Sequence, residues 1–339
     1  SISLLCALSF ITFHVSHRTA LPSFVIAIFF GVAAKSLLAP IIHEGHILGA
    51  IVGFGATLIL FSGGLETPFA NFRKLFSKII LLSFPGLLFT AWAFSHTAFW
   101  LGQVLGSPLS ITVAVLLGAV LASTDPAAII PILRGLRFTN RAAKDIIVSE
   151  SAMTDVSGTL LTVTFLSILL SGGAFLGIHS GYGMLFTAAA GWLLAKQILL
   201  GCLFGVFGYG LLTLLMRLKE RHGEEYEADA AFFLFAPIIV FTLAVALGGS
   251  GYLAAFVAGL LFVLTHHLHE TERFFNHAIE GFLKPVIFIL LGALIELPTL
   301  IAYAGVGLLS ALVFMAVIRP LAVWLSLAPS LFIGKERLT

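Results

Sequence analysis

Charge is what this sequence has least of. Only 10% of its 339 residues are Asp, Glu, Lys or Arg, too few to solvate the surface of a soluble domain of that length. Period-two alternation of apolar and polar residues is missing too, which excludes the lipid-facing strands of a β-barrel. Cysteine is scarce: Cys6 and Cys202 both fall in apolar runs, where they say nothing of a redox compartment and are expected to serve structural packing. No basic segment followed by a small-residue cleavage site opens the chain, so no cleavable signal peptide is expected. A net charge of +2 implies no nucleic-acid partner.

What the sequence has in quantity is hydrophobic residues, 59% of the chain, gathered in successive apolar runs of about 18 to 25 residues with short polar breaks. In lipid only closed backbone hydrogen bonding survives, so these runs predict an all-α, multi-pass membrane protein. About eleven spans are expected, at residues 1 to 15, 20 to 38, 46 to 66, 79 to 103, 108 to 133, 142 to 170, 192 to 217, 230 to 247, 250 to 266, 276 to 296 and 299 to 333. Residues 181 to 192 read as a short interfacial helix or as part of a longer seventh span. Basic residues support the division. Arg18, the Arg73-Lys74-Lys78 cluster, the group from Arg134 to Lys144, the group from Arg217 to Arg221, Arg273 and the Lys335-Arg337 pair all fall in alternate connections. By the positive-inside rule the N-terminus is then outside and the C-terminus cytoplasmic. The acidic group Glu220, Glu224, Glu225, Glu227 and Asp229 reads as a solvated inner loop.

Four of the 18 basic residues escape that pattern: Lys35, Lys196, Lys284 and Arg319. The first two sit near span ends, where a long side chain can snorkel to the headgroups. Lys284 and Arg319 lie well inside their spans and need partners.

Carboxylates in mid-membrane are costly, and their positions point to chemistry. Span five contains Ser123-Thr124-Asp125-Pro126, with Thr124 roughly 22 Å along the helix. Proline disfavours helical geometry at the preceding residue, so the helix is expected to break beside Asp125 and to free carbonyls that can coordinate a cation. Span six contains Glu150-Ser151-Ala152-Met153-Thr154-Asp155, with Asp155 again near the midplane, roughly 20 Å in. Ser151, Thr154 and Asp155 share one helix face and present oxygen ligands for a hard cation. Glu150, off that face, is the chosen partner of Arg319, whose charge must be compensated. A desolvated Asp155 must be neutralised to cross, by a proton or by a cation, and that competition yields obligate exchange. Permanent pairing of Asp155 with Lys284 is the bland alternative.

These two motifs, together with Arg319-Pro320, Phe61-Ser62-Gly63-Gly64-Leu65-Glu66, Leu247-Gly248-Gly249-Ser250-Gly251 and Phe288-Ile289-Leu290-Leu291-Gly292, resemble the monovalent cation:proton antiporter family that includes the sodium/proton exchangers. The resemblance spans nearly the whole chain. It implies an inverted-repeat fold of thirteen helices, a homodimer, and an elevator-like movement of a core domain against a dimerisation domain. The repeats would be residues 1–171 and 229–339, with 172–228 as linker helix and cytoplasmic loop. The implied cation and proton ligands are the Asp155 carboxylate, the Ser151 hydroxyl and the Thr124 backbone. Asp125 would serve the helix crossing, and Glu150 with Arg319 would form a structural ion pair. A single carboxylate at the end of the second motif implies electroneutral, one-for-one exchange of Na⁺ or K⁺, with Li⁺ a further candidate, for H⁺. Thr154 departs from the Asn usual in that branch and donates one hydrogen bond where Asn donates two. The family also continues for two helices beyond Gly334-Lys335-Glu336-Arg337, so a fragment is expected, or a chain that transports poorly if complete.

Other chemistries fit less well. His266, His267, His269 and Glu270 lack a facing ligand set and read as a solvated loop rather than a metal site. An intramembrane hydrolase built on Ser151 lacks a base, so no enzyme activity is expected and no cofactor. A cation channel without proton coupling would use the same broken helix and midplane carboxylates; only the resemblance separates the two. Glycine sets at Gly49 to Gly53 and Gly201 to Gly210 predict close internal helix packing.

Overall fold

Apolar runs that cannot leave backbone groups unpaired in lipid fold as helices. The computed structural model describes residues 2–19, 21–67, 69–124, 141–222, 229–264 and 269–333, and among these no strand occurs. In chain order the helices are α1 (Ile2–Arg18), α2 (Ser23–Ala33), α3 (Lys35–Ile42), α4 (Gly45–Glu66), α5 (Phe69–Leu81), α6 (Leu87–Val104), α7 (Ile111–Leu121) and α8 (Arg141–Leu170). They continue with α9 (Ile178–Gly183), α10 (Ala188–His222), α11 (Asp229–Ala246), α12 (Gly251–Phe262), α13 (His269–Ala278), α14 (Lys284–Leu294), α15 (Leu297–Val313) and α16 (Arg319–Ile333). Asp125, Pro126, Arg134, Arg137, Glu224, Glu225, Glu227, His266, His267, Lys335 and Arg337 lie outside the described residues.

Six helices among the described residues are long and apolar enough to cross a membrane: Gly45–Glu66, Phe69–Val104, Ala143–Leu170, Ala188–Leu215, Glu272–Leu294 and Leu297–Ala328. The α2 and α3 pair makes a seventh if its 89° bend is taken within one span. The expected count of about eleven is not reached on this measure, which covers the described residues alone. The second run bends at Ala34, and Ile2–Ser16, Ile111–Leu121, Ala231–Ala246 and Gly251–Phe262 form apolar helices shorter than that measure requires. Residues 181 to 192 divide between the two readings: α9 ends at Gly183, a 3₁₀ turn at Met184–Phe186 follows, and α10 begins at Ala188, four residues before the expected start of the seventh span. Apolar side chains cover the outside, Ile301 being 74% exposed, as suits a molecule whose solvent is lipid.

Three long helices widen into a π turn, each next to a proline. Pro85 lies inside Leu82–Gly86, Pro285 follows Ile279–Leu283, and Pro320 follows Phe314–Ile318. A proline ring clashes with the carbonyl four residues back and lacks its own N–H; a wider turn absorbs both faults without ending the helix. The third such turn delivers Arg319.

The chain divides into two compact units, Ser1–Glu66 with Leu200–Leu297, and Thr67–Leu199 with Pro298–Thr339. Each draws on both halves of the sequence. In the first, two close helix crossings dominate. A Cβ on Gly31 would strike the Ile289 carbonyl and one on Gly292 the Ile28 carbonyl, so α2 and α14 touch through glycine. Likewise Gly64 lies on Phe256 and Gly259 on the Phe61 carbonyl where α4 meets α12. Such approaches admit no side chain, and Gly259→Val is expected to destabilise the protein by about 1–3 kcal/mol, read as an earlier thermal unfolding in detergent. Ser62 donates to Asn276 Oδ1 at 2.7 Å. Ser250 caps α12 by accepting from the Leu253 N–H at 3.2 Å. Two passages singled out in the sequence thus serve packing and a helix start.

Lys35 does more than snorkel: it donates to the Ile295 carbonyl at 3.0 Å, closing the C-terminal end of α14, and pairs with Glu296 at 3.3 Å. Lys284 is half-buried beside Pro285 in the first turn of α14. Of the glycine sets, Gly201, Gly205 and Gly208 pack internally on Leu253, Val257 and Val240, but Gly49 and Gly53 have nothing within 4 Å, against expectation. Cys6 and Cys202 are exposed rather than packed, because their helix faces point outward to where lipid replaces protein contact.

The second unit is built on α5 to α8. Phe165 of α8 stacks edge-on against Phe175 and Tyr182, and the Tyr182 hydroxyl meets Ser95 Oγ at 3.0 Å, tying α9 to α6. Asn71 Nδ2 donates to Asp145 Oδ2 at 2.9 Å, fastening α5 to the first turns of α8.

Candidate functional site

The second unit contains a point where one helix stops and another passes it. Ser110 caps the start of α7, its hydroxyl accepting from the Val113 N–H at 3.3 Å. The helix ends at Leu121, and the Ala122 N–H still reaches the Gly118 carbonyl at 3.1 Å. Ser123 and Thr124 then leave helical geometry, as expected of residues that approach Asp125-Pro126. The helix dipole gives the end of α7 a partial negative charge suited to a cation.

α8 runs unbroken past this end and meets it with hydroxyls. Ser151 Oγ donates to the Thr124 carbonyl at 2.5 Å. Thr154 Oγ1 donates to the Ser151 carbonyl of its own helix at 2.8 Å and accepts from the Thr124 N–H at 3.4 Å. It also lies 3.3 Å from Thr124 Oγ1. Ser151 and Thr154 are fully buried. Thr124 therefore has its N–H, its carbonyl and its hydroxyl all engaged by α8.

Asp155 sits one position further along α8, half-buried, with Ser123 Oγ donating to its Oδ1 at 2.7 Å. Thr159 Oγ1 donates to the Asp155 carbonyl at 2.8 Å. Ser123 reaches this close because Gly158, almost one turn along, has no side chain; a Cβ there would lie 3.3 Å from that of Ser123. Glu150 and Arg319 are brought together, Arg319 Nη2 donating to Glu150 Oε1, with 18% and 7% of the Arg and Glu side chains exposed. Arg319 Nη2 also lies 3.5 Å from Thr124 Oγ1, so the ion pair adjoins the helix break. Ser83 Oγ, from the π turn between α5 and α6, reaches the Glu150 carbonyl at 3.5 Å.

The structure thus gathers Thr124, Ser151, Thr154, Asp155, Glu150 and Arg319 into one unit. Lys284 belongs to the other. Sequence reasoning missed Ser123. Its signal was weak: a serine beside a threonine in a break motif, with its target 32 residues away. Oxygen atoms of Asp155, Ser151 and Thr124 can supply a small monovalent cation with a carboxylate, a hydroxyl and a carbonyl, while the Thr154 oxygen already accepts from the Thr124 N–H. Thr154→Val is expected to leave the Thr124 N–H unsatisfied and to cost about 1–3 kcal/mol of stability, read from thermal unfolding, whereas Thr154→Asn retains an acceptor and costs less.

Comparison with known proteins returns a consistent picture. The sequence profile of the family described as "Sodium/hydrogen exchanger, transmembrane" matches residues 2–337. The chain is 29% identical over 336 residues to the K(+)/H(+) antiporter NhaP2 of Shewanella oneidensis, covering 96% of this chain and 54% of that protein. To the Probable Na(+)/H(+) antiporter 2 of Methanocaldococcus jannaschii it is 28% identical over 288 residues, covering 82% and 64%. The chain spans about half the length of the K(+)/H(+) antiporters it matches. In fold it is similar to the sodium proton antiporter MjNhaP1 of M. jannaschii solved at pH 8, with a TM-score of 0.75 at 22% identity over 99% of this chain and 78% of that one.

Proposed function

The chain belongs to the sodium/hydrogen exchanger family, and from that premise we propose that it exchanges a monovalent cation, Na⁺ or K⁺, for H⁺ across a membrane, with Asp155 holding the two ions in turn. It is an integral, multi-pass membrane protein of a transporter family, not of an enzyme class. One observation carries the proposal. Two hydroxyls of an unbroken helix engage the backbone of a helix end, Ser151 at the Thr124 carbonyl and Thr154 at the Thr124 N–H, and one turn along from Ser151 the Asp155 carboxylate accepts from Ser123 Oγ of that same end.

Chemically, the arrangement favours one positive charge at a time. Asp155 supplies a single negative charge; a proton neutralises it by bonding, a cation by coordination together with the Ser151 hydroxyl and the Thr124 carbonyl. Thr154 holds the break in place behind them. Glu150 and Arg319 compensate each other and leave Asp155 as the charge that changes state. One carboxylate makes the exchange one-for-one and electroneutral. The resemblance adds Asp125 at the helix crossing and a homodimer, the alternation of basic loops adds an external N-terminus and a cytoplasmic C-terminus, and the plasma membrane completes the proposal as location.

The test is ion flux in proteoliposomes with a pH-sensitive dye inside, pulsed with Na⁺, K⁺ or Li⁺. Proton movement that follows the cation pulse and is unchanged when the membrane potential is clamped is the expected result. Cation flux without proton movement would sink the proposal and leave a channel in its place.

A further inference from the structure

Asp155 accepts a hydrogen bond that the exchange chemistry described so far does not use. Ser123 Oγ donates to Asp155 Oδ1 at 2.7 Å, within the range of a charge-assisted O–H···O bond. The donor comes from the helix end, not from the helix that carries the carboxylate. Its approach depends on Gly158, the position on α8 at which a Cβ would come within 3.3 Å of Ser123 Cβ. Resting on the exchange reading above, we propose that Ser123 is a positioning residue whose hydroxyl favours the ionised Asp155 carboxylate and so sets the pH range over which cation and proton compete.

The physical reason is an asymmetry between the two states of the carboxyl group. A hydroxyl donated to a carboxylate stabilises the charged form; the neutral acid accepts a weaker bond at the same distance. The hydroxyl can rotate to accept from a protonated acid, but then the stronger bond has been given up. Ser123 therefore handicaps the proton relative to the cation. Ser151 cannot take over this duty, because its hydrogen is donated to the Thr124 carbonyl.

Other ionisable groups on the packed elements stay constant in the comparison. α8 carries Glu150, paired with Arg319 of α16, and Arg141, Lys144 and Asp145 in its first turns. α5 carries Arg73, Lys74 and Lys78, α6 carries His96, and α9 carries His179 and Tyr182. α7 carries none. A change confined to Ser123 leaves all of them in place, so a shift in the pH profile reports the hydroxyl.

The experiment compares the full chain with Ser123→Ala and Ser123→Thr in proteoliposomes, recording cation-driven proton movement across pH. For Ser123→Ala the profile is expected to move to higher pH by about one unit, with the apparent KM for the cation raised about tenfold on the acid side. Ser123→Thr, which keeps the hydroxyl, is expected to return both towards the parent. If Ser123→Ala does not turn over, cation-induced proton release from the detergent-purified protein in weak buffer reads the same site without transport, and the same shift is expected. An unshifted Ser123→Ala midpoint overturns the proposal, as does a Ser123→Thr midpoint displaced as far as that of Ser123→Ala. Absence of cation-coupled proton movement in the parent chain is a different result: it overturns the exchange reading and not the hydrogen bond.

Discussion

Asp155→Asn is expected to abolish cation-coupled proton movement, lowering the rate at least about a hundredfold. The substitution keeps the size of the side chain and an oxygen that can still accept from Ser123 Oγ, so the helix break and its packing have no reason to change. What it removes is the charge. Without it a cation at the Thr124 carbonyl would lose the Asp155 counter-charge, in surroundings of low polarity where such a charge a few ångströms away is worth several kcal/mol, and each 1.4 kcal/mol is about tenfold. Asn also cannot take up a proton in the working pH range, so even residual cation binding would not be coupled. The measurement is dye-reported proton flux after a cation pulse, alongside thermal unfolding of the same preparation. Lost flux with unchanged unfolding places the loss in the ion site. Retained coupled exchange would remove Asp155 from the mechanism.

The sequence showed the parts of this site that cost energy to bury and hid the parts that depend on how helices cross. Glu150 and Arg319, 169 residues apart, were legible as partners because a buried guanidinium demands compensation. The helix end at Ser123-Thr124 was legible from Pro126. Ser123 itself was not, since a serine hydroxyl carries no burial penalty large enough to demand a named partner, and its target was fixed by the meeting of α7 with α8. The same limit explains Lys35. A lysine near a span end reads as snorkelling, yet the bend at Ala34 places its amine on the Ile295 carbonyl. Apolar run length reported where lipid-compatible helix lies but not where it bends, and α2 with α3 turns through 89° inside one apolar run. Periodicity of small residues was equally blind to partner: Gly201 and Gly205 found internal contacts, Gly49 and Gly53 did not.

Arg319→Ala is the second large effect, expected on stability before transport. Glu150 has 7% of its side chain exposed, and removal of its partner leaves a buried carboxylate with no countercharge from Arg319, a change that costs about 3–5 kcal/mol. Thermal unfolding in detergent should fall accordingly. Arg319→Lys should recover only part, since a shorter side chain with a more strongly hydrated ammonium does not place its nitrogen where Nη2 reaches both Glu150 and Thr124. The double variant Glu150→Gln with Arg319→Met removes both charges, and its cost should be well below the sum of the single losses, because the penalty of each comes from the charge left behind. Exchange should then separate the two duties of Arg319. Its guanidinium also lies 3.5 Å from Thr124 Oγ1, and the double variant lacks that contact even with the charges balanced. A double variant that unfolds near the parent temperature but exchanges slowly assigns Arg319 a part in holding the helix end at the ion site. One that recovers both stability and rate confines it to compensating Glu150. The geometry favours the first outcome, because the N–H and carbonyl of Thr124 are already held by α8 and its hydroxyl is the contact that links the break to α16.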